Sequence, residues 1–320
     1  MIYYYSIDNL NNSSIIQFEL RKSRKHVMNK LSIEQRAQIL TMLVEGNSMR
    51  SVSRIANVSI NTVTKLLVDS GIVCAEYQHE HLINIKSKRV QCDEIWSFYY
   101  SKEKNVAPAD KGILGYGDVY TWTAIDADTK LAISWLVGHR SQDYAEAFIE
   151  DLASRLSERI QLTTEGWGCY IGAVEKMFGG AVDYAMLVKI YGADDKGQRR
   201  YSPAAFVSAE KRTMAGNPDI KHVSTSFVER QNLTMRMGMR RFTRLTNGFS
   251  KKIDNLAHAV ALHFMYYNFV RIHKTLKTTP ALEAGVTSKL WSMIDVVGLI
   301  DAKEALKDRS RGKYKINISN

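Results

Sequence analysis

Two rhythms of apolar positions divide the chain. Between residues 31 and 71, apolar side chains recur at three- and four-residue steps. Ile33, Ile39, Leu40 and Leu43 form one set, Val52 and Ile55 a second, and Val63, Leu66 and Leu67 a third. That is the period of amphipathic helices. Each set opens on a serine. Ser32 with Gln35 three residues later makes a capping box, and Ser48 and Ser59 head the next two helices. Gly46-Asn47 closes the first helix and Gly71 the third. From Arg89 the rhythm shortens. The run RVQCDEIWSFY to Tyr99, then Val119 to Ile125 and Leu131 to Val137, is rich in β-branched and aromatic residues and reads as three strands. Asp126-Ala127-Asp128-Thr129 is a reverse turn between the second and third. A helix capped by Ser141 runs to about Arg159, with Ala145, Phe148, Ile149, Leu152 and Leu156 inward. A short strand from Ile160 to Thr163, a helix from Ile171 to Phe178 and a strand from Ala185 to Ile190 follow. A helix starting after Ser224 or Thr225 and a long apolar helix from Asp254 to Val270 complete the pattern.

The order β-β-β-α-β-α-β is the ribonuclease-H-like order. The expected fold class is mixed α+β and α/β: an N-terminal helix-turn-helix, then a ribonuclease-H-like fold with a mixed five-stranded sheet flanked by helices. The expected boundaries are an extension at 1–30, the helix-turn-helix at 31–72, a linker at 73–88, the ribonuclease-H-like domain at 89–281 and a helical, basic tail at 282–320. The turn Asn57-Val58-Ser59 before the third short helix favours a DNA-reading module. Ser59, Asn61, Thr62 and Lys65 then face the major groove, as short polar groups and a cation suited to base edges and phosphates. The alternative is a trihelical protein-interaction module.

Composition decides between these two. The chain has 320 residues, 45% of them apolar, with a net charge of +11 and a pI near 9.4. A chain this basic favours a polyanionic partner, most often nucleic acid. No apolar run approaches the roughly 20 residues that span a bilayer, and MIYYYSIDNLNN lacks the pattern of a secretory leader. Cys74, Cys92 and Cys169 form no CxxC pair, which excludes a zinc finger or a disulfide framework. A reducing, cytoplasmic, nucleoid-associated setting is expected. Arg21, Lys22, Arg24 and Lys25 form a basic arm or a solvated linker, and Lys307, Arg309, Arg311, Lys313 and Lys315 a basic tail. His79, Glu80 and His81 are adjacent but have no second cluster to complete a metal site.

The chemistry-bearing stretch is STSFVERQNLTMRMGMRRFTRLTNG, Ser224 to Gly248. Glu229 is its one acid, and seven Lys or Arg lie between Arg230 and Ile253. On a helix, Glu229, Asn232, Arg236 and Arg240 share one face. In a ribonuclease-H-like order, carboxylates from the first strand, the end of the fourth strand and a later helix converge, and these positions hold Asp93, Glu165 and Glu229. Three converging carboxylates hold two Mg²⁺ about 4 Å apart, one activating a water or 3′-hydroxyl and the other stabilising the leaving oxygen. Mg²⁺ requires hard oxygen ligands, and Mn²⁺ substitutes for it. Glu94 alternates to the opposite strand face, while Asp126 and Asp128 serve the turn. Arg271 and His273 either contact DNA phosphates or cap the preceding helix. Trp96 and Trp167 flank the acids as core packing, with Trp167 alternatively stacking on an unpaired base.

CDEIWSF around Asp93, TTEGWGCY around Glu165, SFVERQN around Glu229 and the run Tyr267 to Lys274 (YNFVRIHK) resemble the transposases of the insertion-sequence-one family. These are DDE-type recombinases of small bacterial mobile elements. The likeness covers roughly Arg89 to Ala281. It implies that Asp93, Glu165 and Glu229 are catalytic metal ligands. It also implies binding of double-stranded DNA, both terminal inverted repeats and target, metal-dependent strand cleavage and 3′-end joining, and a homo-oligomer of at least two subunits. On this likeness Arg230, Asn232, Arg236, Arg240, Arg241, Arg271 and His273 join the helix-turn-helix residues as DNA contacts. Two departures stand out. The zinc ribbon that often precedes the helix-turn-helix has no cysteines here, and the family pattern has Asp where this chain has Glu165. The extra methylene moves the carboxylate by about 1.5 Å, enough to impair turnover. A catalytically silent, transposase-derived DNA-binding protein is therefore the alternative. A ribonuclease H shares the core order, but the helix-turn-helix and the ERQN helix argue against it.

Overall fold

The computed structural model describes residues 30–113, 116–192, 206–243, 246 and 248–310. The basic run at 21–25 and the tail positions Arg311, Lys313 and Lys315 lie outside them. Three helices come first: α1 (Ile33–Val44), α2 (Met49–Ile55) and α3 (Ile60–His81). The sheet strands are β1 (Arg89–Tyr99), β2 (Gly117–Asp126), β3 (Ala132–Gly138), β4 (Ile160–Glu165), β5 (Val182–Tyr191) and β6 (Phe206–Ala215). Helices α4 (Gln142–Arg155) and α5 (Cys169–Phe178) flank β4. Then come α6 (Ser226–Gly238), α7 (Ile253–Met265), the short α8 (Pro280–Glu283) and α9 (Met293–Ser310). No single helix among the described residues is long and apolar enough to cross a membrane.

Three of the serine caps form as the sequence suggests, whereas Ser141 precedes α4 without a side-chain capping bond and that helix ends at Arg155. Ser32 and Gln35 close both hydrogen bonds of the capping box. Ser48 and Ser59 each accept from the amide three residues on. The axes of α2 and α3 meet at 116°. Helix α3, however, runs through Gly71 to His81 instead of stopping there, so residues expected to form a linker are helical. Gly71 is not a terminator but a contact: a Cβ there would lie 2.3 Å from Cβ of His258 on α7. Removing the side chain lets two helices cross at close range, and Gln78 Nε2 ties the same pair by donating to Ala261 O at 3.1 Å. Helix α9 closes over α1, with Arg36 in a two-pronged pair to Asp301 at 2.6 and 2.9 Å. Lys303 of α9 pairs with Glu76 of α3.

The sheet order is β3-β2-β1-β4-β5-β6. Strands β1, β2 and β3 form an antiparallel meander, β4 and β5 join β1 in parallel, and β6 runs antiparallel to β5. The first five strands thus lie in the order the ribonuclease-H-like reading expects. The sixth corrects the five-stranded expectation. Strand β6 is exposed at every position but its last, so it has no buried face and no apolar alternation by which to be read.

Period-two alternation sends neighbouring β1 residues to opposite layers. On one face Trp122, fully buried, packs on Phe148 of α4 and Tyr170 of α5. On the other, Trp135 stacks on Phe264 of α7 at 6.0 Å. Beyond α7 the chain tightens into a π-turn, Tyr266–Val270, where a single α-helix had been expected to continue. Buried Asn268 explains the turn's place. Its amide accepts from Ala132 N at 3.0 Å and donates to Ala132 O at 2.9 Å, mimicking a strand partner for the edge of β3.

Candidate active site

Strand β1 places Asp93 in mid-sheet. Its neighbour in β4 is set by the parallel register Cys92 with Thr164, which brings the C-terminal Glu165 of β4 alongside. Helix α6 supplies Glu229 from its first turn. That turn is anchored from the sheet. Thr225 is the N-cap but makes no side-chain capping bond. Instead buried Gln91, two residues before Asp93 and on the same strand face, accepts from the amides of Phe227 (2.8 Å) and Val228 (3.3 Å). One turn after Glu229, Asn232 donates its amide to Asp93 Oδ2 at 2.7 Å. The strand and the helix are therefore locked in a register that puts the acids on one side.

A lysine joins them. Leu187 pairs with Glu165 across β4 and β5, and Lys189, two residues on, shares its face. The Lys189 ammonium contacts Glu165 and lies 2.8 Å from Glu229 Oε1. Glu229 also accepts from Thr225 Oγ1. Burial alone pulls Lys189 down, but hydrogen bonds to Glu165 and Glu229 hold its ammonium well above the usual lysine range. Asp93 is pushed well above the usual carboxylate range, first by burial and then by the charges of Glu165 and Glu94, against the pull of the Glu94 amide and Lys189. The cluster has an excess of negative charge that one built-in cation offsets in part.

The donor chemistry suits a hard divalent cation, since all three acids offer carboxylate oxygens. The side-chain arrangement suits it less. Among the described residues no three His, Cys, Asp or Glu side chains gather into one set that could hold a metal ion, and Lys189 bridges two of the acids. A cation taken up here has to displace that ammonium. Buried Asn232 Oδ1, which has no hydrogen-bond partner, is a further uncommitted oxygen beside Asp93.

The other acids sort as their positions suggest. Glu94 lies on the opposite face, where Arg140 pairs with it at 3.2 Å and burial raises its pKa. The same Arg140 guanidinium lies 4.6 Å from the ring centre of Trp167, which packs on Trp122 and Tyr170. Asp126 accepts from the amides of Asp128 and Thr129 at 2.6 and 2.9 Å, and Asp128 pairs with Arg89; both serve the turn.

The residues proposed for DNA contact fall in four places. Asn61 at the start of α3 is exposed, whereas Ser59 and Thr62 are hydrogen-bonded to each other in the cap and Lys65 pairs with Asp69. Asn232 is turned inward onto Asp93, with Arg236 one turn further along α6. Arg240 does not continue that face, because α6 ends at Gly238 and Arg240–Phe242 is a separate 3-10 turn. Gly238, at that end, lets α1 approach closely: a Cβ there would lie 2.9 Å from Val44 O. Arg241 donates to Ser250 Oγ at 2.7 Å and to Met49 Sδ at 3.4 Å, and burial lowers its pKa to about 10. With Arg50, Arg240 and Lys251 it lines a cavity of about 850 Å³ between α2 and the loop before α7. Arg230, Arg271 and His273 line a second cavity behind α6. Neither Arg271 nor His273 caps a helix through its side chain.

Lys189 escaped the sequence reading. Its one signal is a lysine inside the otherwise apolar run AMLVKIY, where a buried strand has no use for a charge unless a partner faces it.

No family model matches this chain, and no curated protein sequence does. Among solved structures, the chain is similar to a piggyBac transposase synaptic complex with hairpin DNA, at 10% identity over 89% of this chain and 73% of that one, TM-score 0.36. It is also similar to a pre-cleavage Mos1 transpososome (11% identity, 57% and 66% covered, TM-score 0.19). A Mos1 strand transfer complex aligns at 10% identity over 82% and 81%, TM-score 0.22.

Proposed function

We propose that this protein is a DNA transposase of the insertion-sequence-one kind, joining DNA ends by phosphoryl transfer on a ribonuclease-H-like domain. The observation that carries the reading is the meeting of acids from β1, the end of β4 and α6 around Lys189. The five-strand order and the excess positive charge agree with it. On this reading Asp93, Glu165 and Glu229 would hold Mg²⁺ or Mn²⁺, which when bound supplies nucleophile activation and leaving-group stabilisation. Gln91 and Asn232 fix the helix and the strand that carry the acids. The 116° angle between α2 and α3, with Asn61 exposed at the start of α3, supports a helix-turn-helix reading end sequences. The arrangement would act as at least a dimer that pairs two DNA ends.

The bridge from Lys189 to both Glu165 and Glu229 favours a second reading, a catalytically silent DNA-binding protein. The test is a joining assay. A pre-cut end carrying the DNA that flanks the coding sequence is incubated with plasmid target and Mg²⁺ or Mn²⁺, using the protein as written and Glu165→Asp. The first reading expects end-specific binding by both proteins and joining that rises with Glu165→Asp. Tight binding with no joining by either leaves the silent reading standing. Sequence-independent cleavage of RNA–DNA hybrids would sink both.

A further inference from the structure

Behind α6, on the side away from Asn232 and Asp93, lies a cavity of about 590 Å³. Three separate elements supply its charge: Lys130 from the β2–β3 turn, Arg230 from α6, and Arg271 and Lys274 from the loop after the π-turn, with His273 between them. Among the described residues, no Asp or Glu lines it. Among the described residues, none of these four Lys and Arg side chains forms an ion pair with a carboxylate, although Lys130 feels the more distant charges of Asp128 and Asp126; exposed lysines elsewhere, such as Lys176 and Lys289, do form such pairs. Lys130 Nζ instead sits 3.4 Å above the ring centre of Phe227. His273 Nδ1 is buried and has no hydrogen-bond partner. Burial, then the charges of Lys130 and Arg271, lower the pKa of the ring. The walls between the charges are apolar, formed by Ile125, Met237 and Tyr267.

We propose that this cavity binds one unpaired nucleotide: its phosphate on Arg271, Lys274 and Arg230, and its nucleoside against the apolar wall. Cations from three elements around one concavity repel each other until an anion enters. The orphaned imidazole nitrogen offers the matching polar contact. The volume is that of a small-ligand pocket, too small for a duplex and sufficient for a nucleoside phosphate. Stacking and phosphate contact together are the usual means of holding single strands. The proposal rests on the reading of the chain as a DNA-handling protein, and it adds a single-strand site on the face of α6 opposite the acids.

The experiment is fluorescence anisotropy with the full chain and a labelled ten-nucleotide thymidine strand. Thymidine 5′-monophosphate, inorganic phosphate and duplex DNA serve as competitors. Arg271→Ala/Lys274→Ala is compared with Arg271→Lys/Lys274→Arg, all four substitutions being at exposed positions. The neutral pair is expected to lose about tenfold or more in affinity for the strand and to lower its log–log salt slope by about 1.4, two cations at about 0.7 each. The charge-preserving pair is expected to keep both. A strand carrying 5-iodouracil is expected to cross-link to Phe227 or Tyr267. Competition by the monophosphate at concentrations near the strand's assigns the site to a free nucleotide; competition only at far higher concentrations assigns it to a DNA strand. Unchanged affinity and slope in the neutral pair, or cross-links confined to other elements, overturns the site while leaving DNA binding intact. No binding of any nucleic acid by the unaltered chain overturns both the site and the function it rests on.

Discussion

Helix α6 separates two concentrations of charge that are handled in opposite ways. On one side three acids crowd together, and the chain supplies its own counter-ion, Lys189, held by two of them. On the other side, among the described residues, four Lys and Arg side chains and no acid line a cavity. The first is offset in part from within; the second is left open. A built-in counter-ion steadies a fold without a ligand, whereas an uncompensated cluster is tolerated because it is solvated and because a ligand will complete it. The difference marks the acid side as a site that must be opened by displacing Lys189, and the cationic side as one already prepared for its partner.

The comparison breaks most sharply at Asp93. Asp93→Asn keeps the hydrogen bond from Asn232 within reach but removes the central carboxylate. End joining in a single-turnover assay is expected to fall on the order of 10³-fold or more, with binding of duplex ends unchanged. A variant that joins at the original rate removes Asp93 from the chemistry.

Lys189→Met tests the built-in counter-ion. Glu165 and Glu229 then face each other uncompensated. Discounting for the partial exposure of both acids, the loss in metal-free buffer is expected to be about 1–2 kcal/mol, read as a lower Tm. Added Mn²⁺ is expected to restore more stability to Lys189→Met than to the unaltered chain, because ligand binding to the folded state stabilises it by linkage. Equal Mn²⁺ effects on both proteins would argue that Lys189 and the cation do not compete.

The helix between the two regions leans on His263, fully enclosed on α7 and 3.3 Å from the amide nitrogen of Gln231. Burial lowers its pKa to about 3, while the unfolded chain takes up the proton near 6.5. The folded pKa lies below the unfolded one, so the stability from the neutral ring is present above pH 6.5 and lost as pH falls from there toward 3. His263→Gln is expected to flatten the denaturant-midpoint profile in that window, by up to about 1.4 kcal/mol per pH unit for one proton. The smallest effect concerns the open cavity. Inorganic phosphate is expected to raise the Tm of the unaltered chain by a few tenths of a kcal/mol in stability, and not that of Arg271→Ala/Lys274→Ala, at matched ionic strength.

Much of this architecture was legible wherever burial is one-sided. The caps Ser32, Ser48 and Ser59, the strand of Asp93 and the order of five strands follow from local periodicity and turn chemistry. What escaped depends on contacts between distant segments. Gly71 looks like a helix end because the sequence does not reveal that His258 crosses there. Strand β6 has no buried face to alternate. Arg240 leaves the face of α6 because the helix ends at Gly238. At the site, the three acids were chosen by residue type and position, but Asn232 was assigned to DNA when its amide belongs to Asp93. Lys189 was invisible because only the register of β4 on β5 brings it to Glu165.

The most direct measurement of the central claim is Mn²⁺ binding followed by electron paramagnetic resonance, on the unaltered chain and on Asp93→Asn. The unaltered chain is expected to bind Mn²⁺ and Asp93→Asn to lose that binding, with Lys189→Met binding more tightly than either. Mn²⁺ bound equally by the unaltered chain and Asp93→Asn, or by neither them nor Lys189→Met, would contradict a cation site built from these acids.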